Sequence, residues 1–199
     1  MADEQTIEAQ EDQEEKLDPQ TAARRAAALA RVRKWGDPVL RTRARRIDRF
    51  DDALREEVSR MGEIMNDALG VGLAATQLGA LHRLLVYRVQ PESEVAALVN
   101  PEIEWAGEAQ ETAEEGCLSL HEVLVEVERP LHVRIRGRDE NGDEVVVEAT
   151  GLEARVIQHE IDHLDGVLIL DRTSRDQRKQ AMRALREAEA GTPPLGVGA

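Results

Sequence analysis

The sequence predicts an α+β fold in which antiparallel β-sheets surround a central α-helix and a further helix lies near the C-terminus. Three observations predict this fold. Residues 51–69 have helical periodicity, short strand-like segments follow between residues 84 and 147, and residues 150–164 form a second periodic segment with helix-end signals. An arginine-rich segment at about 174–189 supplies the C-terminal helix.

The spacing of apolar residues justifies the first two helices. In residues 51–69 the apolar positions step by four, three, four and three residues, which places them on one helical face: Leu54, Val58, Met61, Met65 and Ala68. The helix at 150–164 begins with Thr150 and carries Glu153 three residues later, a pattern typical of a capping box. Gly166 is placed to end this helix.

The strands are predicted from short aliphatic or alternating runs bounded by turn residues. The runs are residues 84–87, 95–99, 124–127, 133–136 and 145–147. Asn100 and Pro101 are expected to end the second of them. Asn141 and Gly142 form a two-residue turn signal between the last two runs, so these two strands are predicted to form a β-hairpin.

The charge of the chain is concentrated at its N-terminus. The 199 residues carry a net charge of −14, and residues 1–20 hold eight acids and one base, which is half of that charge. We expect residues 1–28 to be an acidic tail that is disordered or forms a frayed helix, residues 29–190 to form one folded domain and residues 191–199 to be a flexible C-terminal tail. The acidic surface and the 2% aromatic content argue against a nucleic-acid-binding protein.

The single cysteine, Cys117, excludes an intramolecular disulfide and fits a reducing compartment. The N-terminus has neither the basic nor the apolar region of a secretory signal, and no apolar run approaches the ~18 residues of a membrane span. We therefore expect a cytoplasmic protein without membrane contact.

The second helix carries the motif H-E-I-D-H at residues 159–163. His159 and His163 are one turn apart on one helical face, so both imidazoles can reach one metal ion. Glu160 is close enough to act on a water molecule at that ion. The motif predicts a helical metal site with a general base, but it does not specify the reaction.

Two histidines leave a catalytic metal site short of one protein ligand. Asp165 and Asp171 follow in the sequence, and Cys117 precedes the helix in the segment E-E-G-C-L-S. A thiolate is a natural ligand for Fe(II) or Zn(II). These residues alone leave the choice open, and the glycine-rich segment at 70–77 is weak evidence for any particular site.

Three segments in this order resemble those of the peptide deformylases. They are G-V-G-L-A-A-T-Q at residues 70–77, E-G-C-L-S at 115–119 and Q-H-E-I-D-H at 158–163. Each motif is moderately specific, whereas their combination is highly specific. The resemblance covers about residues 31–189 and implies that the helix at 150–164 is the central metal-binding helix of the fold.

The resemblance implies a role for individual residues. Cys117, His159 and His163 would hold one divalent metal ion, Fe2+ in many family members and replaceable by Zn2+, Ni2+ or Co2+. Glu160 would act as general base and then general acid. The side-chain amide of Gln77 and the backbone N–H of Leu118 would stabilise the negative charge that develops on the substrate oxygen.

The implied reaction removes the N-formyl group from the N-terminal formylmethionine of newly synthesised proteins and releases formate. The methionine side chain would enter an apolar pocket, and the residues that match the family's pocket and peptide-binding positions are Gly70, Val71, Gly72, Leu152 and Val156. The chain departs from the family pattern after C-L-S: the family commonly has an aliphatic residue followed by a proline, and this chain has Leu120, His121 and Glu122. We expect this departure to alter the rim of the peptide groove.

The resemblance also implies which molecules this protein would bind. The substrates would be N-formylmethionyl nascent peptides, and in some relatives the C-terminal helix docks on the ribosome. This chain has six bases in that region: Arg172, Arg175, Arg178, Lys179, Arg183 and Arg186. A solvated basic face explains the same pattern equally well. No sequence-specific nucleic-acid partner is expected.

Two other classes of protein share parts of this pattern. A metalloendopeptidase can use the same H-E-x-x-H helix, but it would need neither a cysteine ligand nor Gln77. A non-enzymatic binding module on the same scaffold would be favoured if a ligand or Gln77 had been replaced, and the sequence retains all of them. The combination of motifs therefore favours the deformylase over both.

Overall fold

The computed structural model describes residues 17–191 and has the predicted α+β architecture. The helices are α1 (Pro19–Leu29), α2 (Asp52–Asp67), α3 (Gly151–Leu164), α4 (Ile169–Arg172) and α5 (Arg175–Gly191). The strands are β1 (Gly72–Ala74), β2 (Leu84–Tyr87), β3 (Ala96–Ala106), β4 (Gln110–Cys117), β5 (Leu120–Pro130), β6 (His132–Arg138) and β7 (Glu144–Thr150). Two short 3-10 turns, Pro38–Arg41 and Ala75–Leu78, complete the ordered elements.

Both sheets of the described chain are antiparallel, and together they surround α3. Five strands form one sheet in the order β1-β2-β3-β6-β7, while β4 and β5 form a separate hairpin. Helix α3 packs against β1, β2 and β7 of the first sheet and against β5 of the second. The predicted hairpin of β6 and β7 is present, and Gly142 adopts a φ of +94° in its turn.

Three apolar clusters hold these layers together. The first joins the five-stranded sheet to α3 through residues such as Leu98, Ile135 and Ile157, and the second packs α2 against β1 and β2. The third lies among β5, α4 and α5. Because α3 is enclosed by the first cluster, ten of its fourteen residues are buried, and the polar ones among them are held inside the molecule.

Strand β3 does not end at Asn100 and Pro101, as the sequence had suggested, but continues to Ala106. The pairing of β3 with β6 shifts register between Val99 and Glu102, so Pro101 lies at a β-bulge. Its lack of an N–H group therefore removes no hydrogen bond between the two strands. Asn100 adopts a φ of +54°, and its side chain exchanges two hydrogen bonds of 2.8 Å with the backbone of Ile47.

Of the two alternatives expected for residues 1–28, disorder or a frayed helix, the described part has a helix, because residues 19–29 form α1. The Asp18 carboxylate accepts hydrogen bonds from the backbone N–H groups of Gln20 and Thr21, and Pro19 is a favourable first helical residue. The alanine-rich helix then packs on α2 and buries Ala28. Residues 1–16, and residues 192–199 of the expected C-terminal tail, lie outside the described part, and the domain bounds 29–190 stay a prediction.

The predicted capping box of α3 is also absent. Thr150 is the N-cap residue, but its side chain makes no capping hydrogen bond. Glu153 instead lies beside Tyr87, where burial first and this carboxylate second raise the pKa of Tyr87 to about 12. The prediction that Gly166 ends α3 is confirmed. Gly166 has a φ of +74°, and a Cβ atom there would lie 2.8 Å from the Arg41 carbonyl.

Candidate active site

Helix α3 and the end of β4 bring three ligand-type side chains together. The ligand atoms of Cys117, His159 and His163 all lie within 4.8 Å of one another, and Cys117 Sγ is 3.1 Å from His163 Nε2. In a tetrahedral site with bonds of about 2.0–2.3 Å, ligand atoms are separated by roughly 3.3–3.8 Å. The three side chains therefore fit one metal ion.

A buried carboxylate orients the first histidine. Glu115 Oε2 is 3.0 Å from His159 Nδ1, which leaves His159 Nε2 to face the cluster. Arg129 in turn donates two hydrogen bonds, of 2.6 and 2.9 Å, to this carboxylate. Burial alone would raise the pKa of Glu115, but the bonds from Arg129 and His159 lower it to about 2, so the group is a carboxylate at neutral pH.

The Glu115 carboxylate is supported by an ion-pair network that was not predicted from the sequence. Arg155 donates 2.8 Å hydrogen bonds to Glu115 and to the Glu111 carbonyl, and Arg129 also donates to Asp162 at 2.9 Å. Asp162 accepts a further bond of 2.5 Å from Arg172. One signal was available: Arg155 lies one turn before His159, so it shares the helical face that carries the ligands.

The protonation state of Cys117 suits a metal ligand. Burial would raise the pKa of the thiol, but the neighbouring His163 and His159 lower it well below its ordinary value. The thiolate is the form of cysteine that binds metals. One thiolate and two imidazoles form a donor set that suits Fe(II) or Zn(II), so the chemistry of the residues fits a divalent ion as well as their spacing does.

Glu160 lies beside this cluster with an unused oxygen. The residue is 4% exposed, and within residues 17–191 its buried Oε2 atom has no hydrogen-bond partner. Burial raises the pKa of Glu160, although His159 and His163 oppose this effect. A Cβ atom at Gly72 would lie 2.5 Å from Glu160 Oε1, so the close approach of β1 to this carboxylate requires glycine.

The amide of Gln77 is held in a defined orientation. Its Oε1 accepts a 2.9 Å hydrogen bond from the Ala74 N–H, so its Nε2 points the other way. That nitrogen is 3.6 Å from Cys117 Sγ and donates to Ser119 Oγ at 3.3 Å. Gln77 and Ser119 are each 1% exposed, so packing keeps the donor beside the metal cluster.

These groups border one cavity of about 350 Å³. Of the predicted site residues, all except the buried His163 line it: Gly70, Val71, Gly72, Gln77, Cys117, Leu118, Leu152, Val156, His159 and Glu160. Arg155 and Leu69, which were not predicted, line it too. The structure thus brings all eleven predicted residues to one place, while their individual roles stay predictions.

The departure from the family pattern lies partly in the core rather than at the groove rim. Leu120 is 1% exposed and packs with β5, α4 and α5. The expectation that it alters the rim is therefore wrong for Leu120, because the first residue of β5 points into an apolar cluster. The side chains of His121 and Glu122 lie outside the described part.

A histidine pair on a buried helix, a thiolate and an adjacent carboxylate, all beside an open cavity, are the features of a metallohydrolase. The sequence profile of the polypeptide deformylase family matches residues 29–179. The chain therefore belongs to the polypeptide deformylase family. This finding confirms the resemblance and gives no support to the metalloendopeptidase alternative.

Individual relatives agree with this assignment. The chain is 46% identical over 162 residues to the peptide deformylase of Acidothermus cellulolyticus, which covers 81% of this chain and 88% of the relative. It is 44% identical over 163 residues to that of Parafrankia sp., covering 82% and 88%.

Solved structures extend the similarity to the fold. The Thermotoga maritima peptide deformylase is 46% identical, with a TM-score of 0.70 over 72% of this chain and 97% of that structure. The Synechococcus elongatus enzyme in complex with actinonin is 39% identical, with a TM-score of 0.75 over 82% and 91%. Within residues 17–191, no helix is long and apolar enough to cross a membrane.

Proposed function

We propose that this protein removes the N-formyl group from the N-terminal formylmethionine of newly synthesised proteins and releases formate. The observation that carries the proposal is the shared cavity, in which the Cys117, His159 and His163 cluster meets the carboxylate of Glu160 and the amide of Gln77. A hydrolysis of this kind needs a metal site, a base and an oxyanion donor within reach of one small carbonyl group.

Glu160 is the base and acid of the proposed reaction. A divalent ion held by the three ligands would acidify water and polarise the formyl carbonyl. Glu160 accepts the proton of the attacking water and later donates it to the nitrogen of the departing methionine. Burial suits both steps, because it raises the carboxyl pKa towards the working pH, where proton transfer in both directions is efficient.

Two donors would stabilise the negative charge on the formyl oxygen. Gln77 Nε2 is already oriented by the Ala74 N–H, and the backbone N–H of Leu118 follows the metal ligand Cys117 directly. Donors fixed in advance need no reorganisation during the reaction, and one such donor contributes about 2.7–4 kcal/mol.

The apolar part of the cavity would hold the methionine side chain. Leu152, Val156 and Val71 line it, and Leu152 and Val71 are more than 40% exposed, as expected for walls that become covered when substrate binds. Gly72 leaves room for the peptide backbone close to Glu160. The small space between Gly72 and Cys117 favours formyl over larger acyl groups.

We further propose Fe2+ as the native ion, with Zn2+, Ni2+ and Co2+ as replacements, and the cytoplasm as the compartment. The mixed sulfur and nitrogen donor set supports the metal assignment, since it suits these ions better than Mg2+ or Ca2+. The single cysteine supports a reducing compartment, in which its thiolate remains free to bind metal.

Contact with the ribosome is proposed for the basic face of α5. Among the described residues, Arg183 is paired with Glu187 and Arg178 with Asp171, whereas Arg175, Lys179 and Arg186 have no ion-pair partner. Unpaired bases on an exposed helix are available to phosphates. Arg172 is less available because it binds Asp162 beside the metal-site network.

The test compares two substrates and two proteins. Wild-type protein should release formate from formyl-Met-Ala-Ser and leave casein intact, and Cys117→Ala should lose both bound metal and formate release. Casein cleavage that survives Cys117→Ala, without formate release by the wild type, would instead support a metalloendopeptidase.

A further inference from the structure

The segment 33–35, which follows α1, contacts both loops that carry the proposed oxyanion donors. The Arg33 N–H donates to the Gln77 carbonyl at 2.7 Å. The Lys34 ammonium donates to the Leu118 carbonyl at 3.1 Å, and the Trp35 N–H donates to the Ser119 carbonyl at 2.9 Å. Each of these three consecutive residues thus makes one hydrogen bond to one of the two loops: Arg33 to the loop of Gln77, and Lys34 and Trp35 to the loop of Leu118.

Leu118 and Ser119 form the two-residue turn of the β4–β5 hairpin, because Cys117 pairs with Leu120. Both carbonyls of the turn are hydrogen-bonded by the segment 33–35. A two-residue turn keeps little backbone torsional freedom once the residue pair that flanks it and its own two carbonyl groups are hydrogen-bonded. The contacts therefore determine where the Leu118 N–H points relative to the cavity.

The same segment reaches the second donor. Gln77 is held through its carbonyl by Arg33, and its side chain donates to Ser119 Oγ in the turn held by Trp35. The two donors are thereby coupled to one another through residues 33–35 and Ser119. Of the three contacts, the Lys34 contact alone is made by a side chain, so a substitution can remove it without changing the backbone.

We propose that Lys34 is a positioning residue for deformylation, which fixes the turn Leu118–Ser119 so that the Leu118 N–H faces the formyl oxygen in the transition state. The inference rests on the proposed function. Lys34 does not touch the reacting atoms. Its ammonium anchors a carbonyl of the turn, and the length of its side chain allows an exposed residue to reach this turn across the surface.

The experiment measures kcat and KM for formyl-Met-Ala-Ser with wild-type protein, Lys34→Met, Lys34→Arg and a control, Arg31→Met. The control removes a charge from the same stretch of chain at an exposed side chain. Lys34→Met should lower kcat about tenfold, or ~1.4 kcal/mol, and should change KM less than twofold. Bound metal and Tm should match the wild type, Lys34→Arg should recover most of kcat, and Arg31→Met should equal the wild type.

A second readout reports on position rather than on activity. In protein loaded with diamagnetic Zn2+, the amide ¹H–¹⁵N signal of Leu118 should shift in Lys34→Met and return towards its wild-type position in Lys34→Arg. A kcat of Lys34→Met within twofold of the wild type, or an unmoved Leu118 signal, overturns the inference, as does a failure of Lys34→Arg to recover kcat. Absence of formate release by the wild type overturns the proposed function itself and this inference with it.

Discussion

Glu115 shows how much of the site depends on residues outside the motif that binds the metal. Its carboxylate orients His159 and is itself held by Arg129 and Arg155, so three charged groups are buried together beside the cavity. Charges buried in this way are tolerated when each is paired. The sequence shows the two histidine ligands because they share one helix turn and one motif, but Arg129 is on β5 and its pairing depends on the fold.

The proposed role of Glu160 as base and acid is tested by the single substitution Glu160→Ala. The variant should bind as much metal as the wild type, because Glu160 is not one of the three ligands, and its formate release should fall about 10²–10⁴-fold, the usual contribution of general acid–base catalysis. Metal analysis and a formate assay on the same sample check both points. The exposed Glu63 of α2 provides the control, Glu63→Ala, which should retain full activity. A fully active Glu160→Ala would show that the mechanism is wrong.

Helices α2 and α3 were predictable because they bury a regular apolar face, and α5 was predicted from an arginine-rich segment. Strand β4 was missed. Its less exposed positions are Ala113, Glu115 and Cys117, and two of these three belong to the metal site. The apolar alternation that reveals a strand is therefore absent from this strand. Helix α1 was expected only as an alternative to disorder, because its single buried residue, Ala28, gives no periodic signal.

Asp171 makes the short helix α4 sensitive to acid. Its Oδ2 accepts a 2.9 Å hydrogen bond from the Leu168 N–H and pairs with Arg41. Burial alone would raise the pKa of Asp171, but these two contacts lower it below its ordinary value. The carboxylate therefore stabilises the fold above the unfolded-state pKa of about 3.9, and this contribution is lost as the pH falls through the lower folded-state value.

Asp171→Asn should consequently lower the Tm at pH 7 by a few degrees, corresponding to about 0.5–1 kcal/mol once solvent screening is allowed for. The difference from the wild type should shrink as the pH falls below about 4. Thermal unfolding between pH 3 and pH 7 measures it, with the exposed Asp176→Asn as control. A Tm difference that is the same at both pH values would contradict the assignment.

On the scale of the whole molecule, the net charge of −14 conceals two different regions. Half of it lies in the first 20 residues, most of which precede the described part, while α5 is rich in bases. The bulk charge argues against a general nucleic-acid binder, but it says little about one local face. The family profile matches residues 29–179, so both termini lie outside the match.

Ribosome binding through α5 should depend on its unpaired bases. The triple variant Arg175→Glu, Lys179→Glu and Arg186→Glu should lose co-sedimentation with ribosomes while it keeps formate release, and binding by the wild type should weaken steeply with salt. Reversal of Arg134, an exposed base that pairs with Glu148 on the five-stranded sheet, is the control. Equal sedimentation of the triple variant and the wild type would remove the proposal.

We propose that Cys117, His159 and His163 hold a metal ion that this protein uses to release formate. The most direct measurement is metal analysis and a formate-release assay with formyl-Met-Ala-Ser on a single sample purified without oxygen. We predict about one equivalent of a divalent metal per chain and formate release that a chelator abolishes and Fe2+ restores. Metal-free protein that releases formate at the same rate, or metal-loaded protein that releases none, would contradict the account.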